Sequence, residues 1–167
     1  MNSVVIRPLA PNDSLEALTE LLHSAYKELA DIGLRYVATY QTAEVTAERA
    51  SAGECYVAEL DGRIVGTICF EDAATNSGCA WYDRPDVASL HQFAVEPGLQ
   101  RSGIGSALLD KVESRAVETG AAEIALDTAE PATHLIELYS RRGYRVVETV
   151  QWDVTNYRSV IMSKHLG

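Results

Sequence analysis

The sequence is poor in basic residues: 14 lysines and arginines stand against 24 aspartates and glutamates, which gives a formal net charge of −10. A nucleic-acid-binding surface needs clustered lysine and arginine, so this balance argues against a nucleic-acid partner. The sequence also lacks an apolar run of the roughly 20 residues that a membrane-spanning helix requires. Its first ten residues have neither the basic start nor the apolar stretch of a signal peptide. We therefore expect a soluble, cytoplasmic protein without a membrane or nucleic-acid partner.

Cysteine is scarce as well. Cys55, Cys69 and Cys79 form neither a close pair nor a metal-ligand pattern, so the sequence predicts no disulfide framework and no metal site. Two of the three lie in apolar, strand-like runs and are interpreted as reduced core residues. With 167 residues, 47% of them hydrophobic, and no Pro/Gly/Ser-rich linker, the chain is predicted to form one domain over residues 1–167.

Hydrophobic periodicity and turn signals predict the order of strands and helices. Leu15, Leu18 and Leu22 recur at helical spacing, and apolar residues at 104, 108, 112 and 116 mark one face of a later helix. Asp61-Gly62 joins two β-rich runs and predicts a tight hairpin. Residues 71–87 are mostly polar and are interpreted as a loop or a strand extension. The predicted order is β-α-α-β-β-β-α-β-α-β-β, a mixed sheet with helices on its faces.

Residues 95–106, VEPGLQRSGIGS, place two glycines one residue apart where a helix should begin. A strand, a glycine-rich turn and a helix start direct unpaired N–H groups toward one point, which favours a phosphate. A tight turn without a ligand is the alternative. A Walker A loop needs lysine where Ser106 stands, and a dinucleotide fingerprint needs a third glycine where Leu108 stands. The sequence therefore argues against both of these phosphate sites.

The segments around this loop resemble the GNAT superfamily of N-acetyltransferases. Residues 100–105 match the family's acetyl-CoA loop, Gln/Arg-x-x-Gly-x-Gly/Ala, and residues 138–144 match its later helix end, in which a tyrosine precedes Gly-Phe or Gly-Tyr. The resemblance implies an α/β (α+β) fold with a mixed, mostly antiparallel sheet of six to seven strands, splayed between the fourth and fifth, and about four helices. It implies acetyl-CoA as acyl donor and no metal. The implied cofactor-binding residues are Phe93, Val95, Gln100, Arg101, Ser102, Gly103, Ile104, Gly105 and Ser106.

Aminolysis of a thioester needs a base for the amine and an acid for the departing thiolate. The resemblance places Tyr139 beside the cofactor sulfur as the general acid. A core tyrosine on the face shared with Leu135 and Ile136 is the alternative, although packing explains its ring and not its hydroxyl. Many family members carry an asparagine about seven residues before this tyrosine, where Ala132 stands. A cofactor contact at that position is therefore not expected.

The base is sought on the fourth predicted strand, where His91 is the only titratable side chain between residues 88 and 95. The strand is similar to that of arylalkylamine N-acetyltransferases, whose histidines serve in proton removal. His91 matches one of them and Ser89 stands at the other. Strict alternation predicts that Ser89, His91, Phe93 and Val95 share one face. A half-buried structural histidine is the alternative reading of His91.

Further residues are candidates for the base and for the acceptor site. Asp127 on the next strand is the fallback base, and Glu130 and His134 are weaker candidates. The family walls its acceptor pocket with the first two helices and the segment before the fourth strand. Aromatic and acidic residues there suit a cationic amine, with packing on the sheet as the alternative. They are Tyr36, Tyr40, Trp81, Tyr82, Asp31, Glu71 and Asp72.

These observations predict an acetyl-CoA-dependent N-acetyltransferase that transfers the acetyl group directly to a primary amine, most simply that of a small molecule. One alternative is an acyl-CoA-binding regulatory module of the same fold without useful catalysis. Another is an acetyltransferase acting on protein N-termini or lysines. The C-terminal strand is a candidate for pairing across a homodimer interface.

Overall fold

The strands and helices follow the order predicted from the sequence. The computed structural model describes residues 3–73 and 77–167, so part of the predicted 71–87 loop, residues 74–76, lies outside the described residues. The elements are β1 (Val5–Pro8), α1 (Leu15–Asp31), a 3-10 turn (Val37–Thr39), α2 (Ala43–Ser51), β2 (Glu54–Leu60), β3 (Arg63–Glu71), β4 (Val87–Val95), α3 (Ile104–Glu118), β5 (Glu123–Ala129), α4 (Thr133–Arg141), β6 (Arg145–Val150) and β7 (Ser159–His165).

The seven strands form one sheet in the order β1-β2-β3-β4-β5-β7-β6. Neighbouring strands are antiparallel, except that β4 and β5 are parallel. This arrangement confirms the predicted mixed, mostly antiparallel sheet. β7 pairs with β5 on one side and with β6 on the other. The expectation that the C-terminal strand pairs across a dimer interface is therefore wrong, because β7 is paired on both sides and β6 is the strand at that edge of the sheet.

Helix α1 begins at a side-chain cap and buries the predicted stripe. The hydroxyl of Ser14 accepts a hydrogen bond from the N–H of Ala17 at 3.1 Å, which satisfies a donor that has no partner within the helix. Leu18 and Leu22 have no exposed surface, and burial of a leucine side chain stabilises a fold by about 2 kcal/mol. Together with α2, this helix covers one face of the sheet.

The predicted hairpin joins β2 to β3. Asp61 and Gly62 both have positive φ, 53° and 76°, as a two-residue turn between right-twisted strands requires. Glycine is needed for a different reason at Gly53, just before β2. A Cβ there would lie 2.1 Å from the carbonyl oxygen of Phe70, so any other residue would force the chain away from β3.

Helices α3 and α4 cover the opposite face of the sheet. The predicted apolar face of α3 is buried, with Leu108, Val112 and Ala116 fully inaccessible. Gly66 in β3 lets α3 approach closely, because a Cβ there would lie 3.0 Å from Cδ1 of Leu108. Tyr139 of α4 joins the same core cluster. The sheet therefore lies between α1 and α2 on one face and α3 and α4 on the other.

The three cysteines are buried free thiols, in agreement with the interpretation of Cys55 and Cys69 as core residues. Over residues 3–73 and 77–167, no helix is both long and apolar enough to cross a membrane. The same residues contain no group of three His, Cys, Asp or Glu side chains placed to hold a metal ion.

Candidate active site

Strands β4 and β5 separate along their length. They pair only where Val87, Ala88 and Ser89 meet residues 123–125. Further along, β4 remains paired with β3, and β5 remains paired with β7. The edges that face each other therefore carry backbone N–H and C=O groups without a strand partner. This is the predicted splay, and we call the opening between residues 90–95 and 126–129 the wedge.

A β-bulge in β4 changes the direction of its side chains. Gln92 has a φ of +51°, and the register with β3 shifts at this point. An extra residue in a strand reverses the alternation of side chains beyond it. His91 and Gln92 consequently both face the side of α1 and α2. Phe93 faces the side of α3.

The expectation that Ser89, His91, Phe93 and Val95 share one face is therefore wrong. Ser89 and His91 do lie together, with 2.9 Å between the Ser89 hydroxyl and Nε2 of His91. Phe93 and Val95 instead lie against the start of α3, since a Cβ on Gly105 would be 3.4 Å from the Phe93 ring and 3.6 Å from Val95. The bulge therefore puts His91 on the α1–α2 face of the sheet and puts Phe93 and Val95 on the face of α3.

Residues 95–106 form the loop into α3, which we call the α3 loop. The N–H of Ala107 donates to the carbonyl of Gly103 at 3.0 Å, and the N–H groups before it have no acceptor within the helix. Arg101 and Gly103 have left-handed φ values of +67° and +92°. Such turns direct successive N–H groups outward, and the helix dipole adds positive potential. The loop thus has the geometry of an anion site.

The predicted cofactor residues fit a pyrophosphate at this loop. The space around Gly103 is open, with no atom within 4 Å of the position of a Cβ. Arg101 is exposed at the loop surface. The hydroxyl of Ser102 donates to the carbonyl of Leu99, and Nε2 of Gln100 lies 3.5 Å from the carbonyl of Val95. These side chains brace the turn, so backbone amides are the groups left for a phosphate.

One predicted backbone contact is already engaged. The hydroxyl of Tyr26, in α1, donates to the carbonyl oxygen of Phe93 at 2.7 Å. On the other side of the wedge, the hydroxyl of Tyr36 accepts the N–H of Ala129 at 2.9 Å and lies 2.7 Å from the hydroxyl of Thr128. The two tyrosine rings are 5.3 Å apart. They bridge the strands where the sheet itself does not.

Tyr139 reaches the wedge from the face of α3. Its ring centroid is 6.5 Å from that of Phe93 and 5.9 Å from that of Tyr144, and the residue is 7% exposed. Within the described part of the chain its hydroxyl has no hydrogen-bond partner. Burial, and then the nearby Tyr26, Tyr36 and Asp127, raise the pKa of Tyr139 well above its ordinary value of 10. The phenol therefore keeps its proton at neutral pH.

His91 has a carboxylate partner. Oε2 of Glu71, at the end of β3, lies 3.0 Å from Nε2 of His91. The hydrogen bond to His91 outweighs partial burial and lowers the pKa of Glu71. The sequence contains no glutamate on β4 itself, and the missed signal is the strand register, because Glu71 pairs directly with Ser89. The pair places a carboxylate and an imidazole together beside the wedge.

Asp127, in β5, is oriented by two neutral donors. Its Oδ1 accepts the hydroxyl of Tyr82 at 2.6 Å, and its Oδ2 accepts Nε1–H of Trp152 at 3.1 Å. Burial, and then the nearby Asp127 charge, raise the pKa of Tyr82 well above 10, so Tyr82 remains a donor. The ring of Tyr82 also meets His91 edge-on, with 5.9 Å between centroids. Tyr82 thus contacts both candidate bases.

A cleft of about 320 Å³ lies on the α1–α2 face and brings the three predicted catalytic residues together, since Tyr139, His91 and Asp127 all line it. The predicted acceptor residues Tyr36, Tyr82 and Glu71 line it as well. Sequence reasoning missed the lining residues Tyr26, Arg49, Gln92, Trp152 and Tyr157. A larger depression of about 460 Å³ between β1 and α2 contains none of the predicted site residues.

Other predicted candidates lie away from the cleft. They are Tyr40, Trp81, Asp31, Asp72, Glu130 and His134. Tyr40 is 41% exposed, and Asp31 pairs with Lys27 on the outer surface of α1. Ala132 is buried before the first turn of α4, so that position offers no polar side chain to a cofactor, as the sequence predicts.

Two loops that line the cleft are tied to each other. Asn156, between β6 and β7, accepts the N–H of Arg35 and donates to the carbonyl of Gly33, both at 2.8 Å. The hydroxyl of Tyr40 lies 3.3 Å from the carbonyl oxygen of Val154. We call this contact between the loop after α1 and the β6–β7 loop the loop bridge. It fixes the two loops relative to each other.

Comparisons with known proteins agree with this architecture. The model of the Acetyltransferase (GNAT) family matches residues 15–144. S-(2-succino)cysteine N-acetyltransferase of Bacillus subtilis (strain 168) is 31% identical over 141 residues, covering 81% of each chain. PH1933 from Pyrococcus horikoshii OT3 has a TM-score of 0.76 and 22% identity over 98% of each chain. A GNAT family acetyltransferase from Elizabethkingia anophelis, solved with acetyl-CoA bound, has a TM-score of 0.67 and 16% identity over 97% of each chain.

The family match spans the wedge, the α3 loop and Tyr139. The two solved structures share the fold over almost the whole chain. The chain therefore belongs to the GNAT acetyltransferase family and is an N-acyltransferase whose acyl donor is acetyl-CoA.

Proposed function

We propose that this protein acetylates the primary amine of a small molecule by direct transfer from acetyl-CoA, with Tyr139 as general acid. The observation that carries the proposal is the convergence of three groups in one cleft beside the wedge. A buried phenol with an unengaged hydroxyl, the His91–Glu71 pair and the oriented carboxylate of Asp127 all line it. A regulatory module that only binds acyl-CoA has no need of this set.

The donor is held by backbone groups in this proposal. The N–H groups of residues 101–106 bind the pyrophosphate at the start of α3, and Arg101 adds a mobile positive charge. The pantetheine arm enters the wedge, where its amides pair with strand edges that lack a neighbour, which is a form of β-augmentation. The contact with Phe93 then competes with the hydroxyl of Tyr26, which occupies its carbonyl oxygen.

The transfer has a defined proton balance. The amine nitrogen attacks the thioester carbonyl carbon, the carbon–sulfur bond breaks, and sulfur leaves with the bonding electron pair. Tyr139 donates its proton to this sulfur. His91 takes one proton from the bound ammonium before the attack, directly or through a water, while Glu71 fixes the imidazole. The second proton, which the nitrogen loses after the attack, returns to the Tyr139 oxygen, and His91 releases its proton to water. Asp127 holds the incoming ammonium group, because its oxygen atoms are already oriented by Tyr82 and Trp152.

Two observations support a small acceptor over a protein. The cleft has a volume of about 320 Å³, and the loop bridge ties together the two loops that line it. A cleft of this size is in the range of small-molecule sites, and the loop bridge holds its two loops together. The relative from Bacillus subtilis, by its name, acetylates a cysteine derivative. We propose an acceptor of similar size for this protein and do not propose the same compound.

We also propose that residues 1–167 act as one domain in the cytoplasm. The buried free thiols support a reducing compartment. In a homodimer, the edge strands β1 and β6 are available for pairing between subunits, since Val5 and Val146 are 52% and 50% exposed.

The test is Tyr139→Phe, which removes one oxygen atom and keeps the ring in the core. General acid catalysis contributes about 100-fold or more to rate, so we expect kcat to fall by at least that factor. The Kd for acetyl-CoA should stay within about twofold, because binding relies on backbone groups of the α3 loop and the strand edges, which the substitution leaves in place. Release of the CoA thiol is measured over an amine panel, and acetyl-CoA binding by calorimetry.

Tyr56→Phe is the matched control, because it removes the same atom from a tyrosine of β2 that does not line the cleft. Its kcat should equal that of the wild type. Unchanged kcat in Tyr139→Phe would remove Tyr139 from the acid role. Acetyl-CoA binding without turnover across primary amines, peptides and lysine-containing proteins would support the regulatory module instead.

A further inference from the structure

The cleft contains a guanidinium that the reaction above does not use. Of the lining residues that the structure describes, Arg49 is the one arginine or lysine. It lies near the end of α2, and its Nη1 donates to Oε1 of Gln41 at 2.7 Å. Among residues 3–73 and 77–167, no carboxylate lies within ion-pair distance of it. Arg49 therefore has further N–H groups that can donate to an amine substrate bound in the cleft.

The group that holds Arg49 is itself rigid. Gln41 is 2% exposed, and its amide nitrogen donates to Thr46 at 2.7 Å and to Oε1 of Gln92 at 2.6 Å. Gln92 is the bulge residue next to His91 in the chain. Hydrogen bonds thus run from Arg49 through Gln41 to the strand that carries the proposed base. This arrangement positions the guanidinium relative to His91.

We propose that Arg49 binds a carboxylate of the acceptor, so that the acceptors of this enzyme are amino acids. The proposal rests on the acetyl transfer proposed above and names the class of amine that it uses. A guanidinium offers a planar pair of donors that matches a carboxylate. A half-buried cation without a counterion is also costly, and a substrate carboxylate removes that cost.

The charges of the cleft match a zwitterion. Asp127 and Glu71 are acidic groups that line the cleft and can attract an ammonium, and Arg49 supplies the opposite charge. An amine without a carboxylate leaves Arg49 unpaired, while an acceptor with several carboxylates meets a single fixed cation and two acidic neighbours. One ammonium and one carboxylate therefore suit the site best.

Arg49 could instead act on catalysis through Glu71, whose charge it stabilises from a distance. The two roles have different kinetic signatures. An influence through Glu71 and His91 changes kcat for every amine alike. Recognition of a carboxylate changes KM, and only for acceptors that carry the carboxylate.

The experiment measures kcat and KM of the wild type and of Arg49→Met with amino acids and with the carboxamide of each. The panel includes α-carboxamides and the pairs aspartate/asparagine and glutamate/glutamine, so each carboxylate position is covered. We expect Arg49→Met to raise KM for the amino acid that binds by about 10- to 100-fold, as loss of a charged hydrogen bond does. KM for its carboxamide should change by less than about twofold. For each compound, the KM of Arg49→Met is divided by the KM of the wild type, so differences in amine basicity between compounds cancel.

Arg141→Met is the matched control, since that side chain is 80% exposed on α4, and it should change neither KM. An equal effect of Arg49→Met on amino acids and carboxamides overturns the carboxylate site and leaves acetyl transfer standing. No turnover of any amine by the wild type contradicts the proposed function itself. Thermal unfolding checks that Arg49→Met is folded. If it is not, equal KM values for amino acids and carboxamides in the wild type also overturn the site.

Discussion

Four tyrosines lie around the wedge, and the hydrogen bonds of their hydroxyl groups distinguish them. The hydroxyls of Tyr26, Tyr36 and Tyr82 are each engaged, with a backbone carbonyl, with Thr128 and with Asp127 respectively. The hydroxyl of Tyr139 has no such partner in the described part of the chain. All four rings are buried or half-buried, so these tyrosines differ in whether the hydroxyl group makes a hydrogen bond. Of these four, Tyr139 is the one whose hydroxyl is unengaged, which supports its proposed role as general acid.

The carboxylate beside His91 can be tested by Glu71→Gln, which keeps the shape and removes the charge. We expect kcat/KM near pH 7 to fall about tenfold, because the ionised partner that stabilises a protonated imidazole is lost. The Kd for acetyl-CoA should not change. Asp31→Asn removes an acidic charge on the outer face of α1, where Asp31 pairs with Lys27, and should leave kcat/KM unaffected. Equal losses in both variants would indicate a general charge effect.

At the scale of elements, the start of α3 places a glycine with left-handed φ in the loop proposed to bind phosphate. Gly103 has φ +92°, and Gly120 at the other end of the same helix has φ +85°. Neither position has an atom within 4 Å of a Cβ. The two glycines therefore present the same backbone requirement and the same open space, and only one of them lies in the loop proposed to bind phosphate.

This symmetry gives a controlled prediction. Gly103→Ala and Gly120→Ala should each destabilise the fold by about 1 kcal/mol, because a left-handed φ is costly for alanine. Only Gly103→Ala should weaken acetyl-CoA binding, by about fivefold or more, as relaxation of the strain moves the N–H groups. Denaturant unfolding and calorimetry measure the two effects. Equal affinity for acetyl-CoA in both variants would argue against the α3 loop as the pyrophosphate site.

Over the whole molecule, carboxylates tie distant elements together. Glu113 of α3 accepts hydrogen bonds from Arg142 and Tyr144 at 2.9 Å and from Lys164 of β7 at 2.8 Å. Burial works to raise the pKa of Glu113, but these donors outweigh it and hold the pKa below the ordinary value of 4.5. The stabilisation is therefore present above that pH and is lost as the pH falls further, when the carboxylate takes up a proton.

Glu113→Gln should lower the free energy of unfolding at pH 7 by about 2 kcal/mol, the size of hydrogen bonds to a charged group. The difference from the wild type should shrink below pH 4.5, because the wild type then loses the same charge. Denaturant unfolding at several pH values measures this. Glu137→Gln, on an exposed part of α4, should show no such pH dependence, and a constant difference for Glu113→Gln would contradict the assignment.

The sequence predicts the order of elements, the Asp61-Gly62 hairpin, the splay and the grouping of Tyr139, His91 and Asp127. Local patterns are enough for the element order and the hairpin, because these are set by neighbours in the chain. The splay and the grouping of the three residues are long-range features that the family resemblance implies. The bulge at Gln92 is not visible, since glutamine has no special preference for positive φ. Glu71 and Arg49 come from other elements, so their places beside β4 depend on strand register and helix packing.

The short pairing of β4 with β5 gives the sheet a mechanical property that fully paired strands lack. Residues 87–89 hold β4 and β5 together, and beyond them the two strands diverge as two arms. Tyr26 is bonded to one arm at Phe93, Tyr36 to the other at Ala129, and their rings form a spacer between the arms. In the proposed complex, a shift of α1 would move the arm at Phe93 through Tyr26 and change the alignment of amine and thioester. We therefore expect substitutions in this helix that line neither the cleft nor the wedge to change kcat.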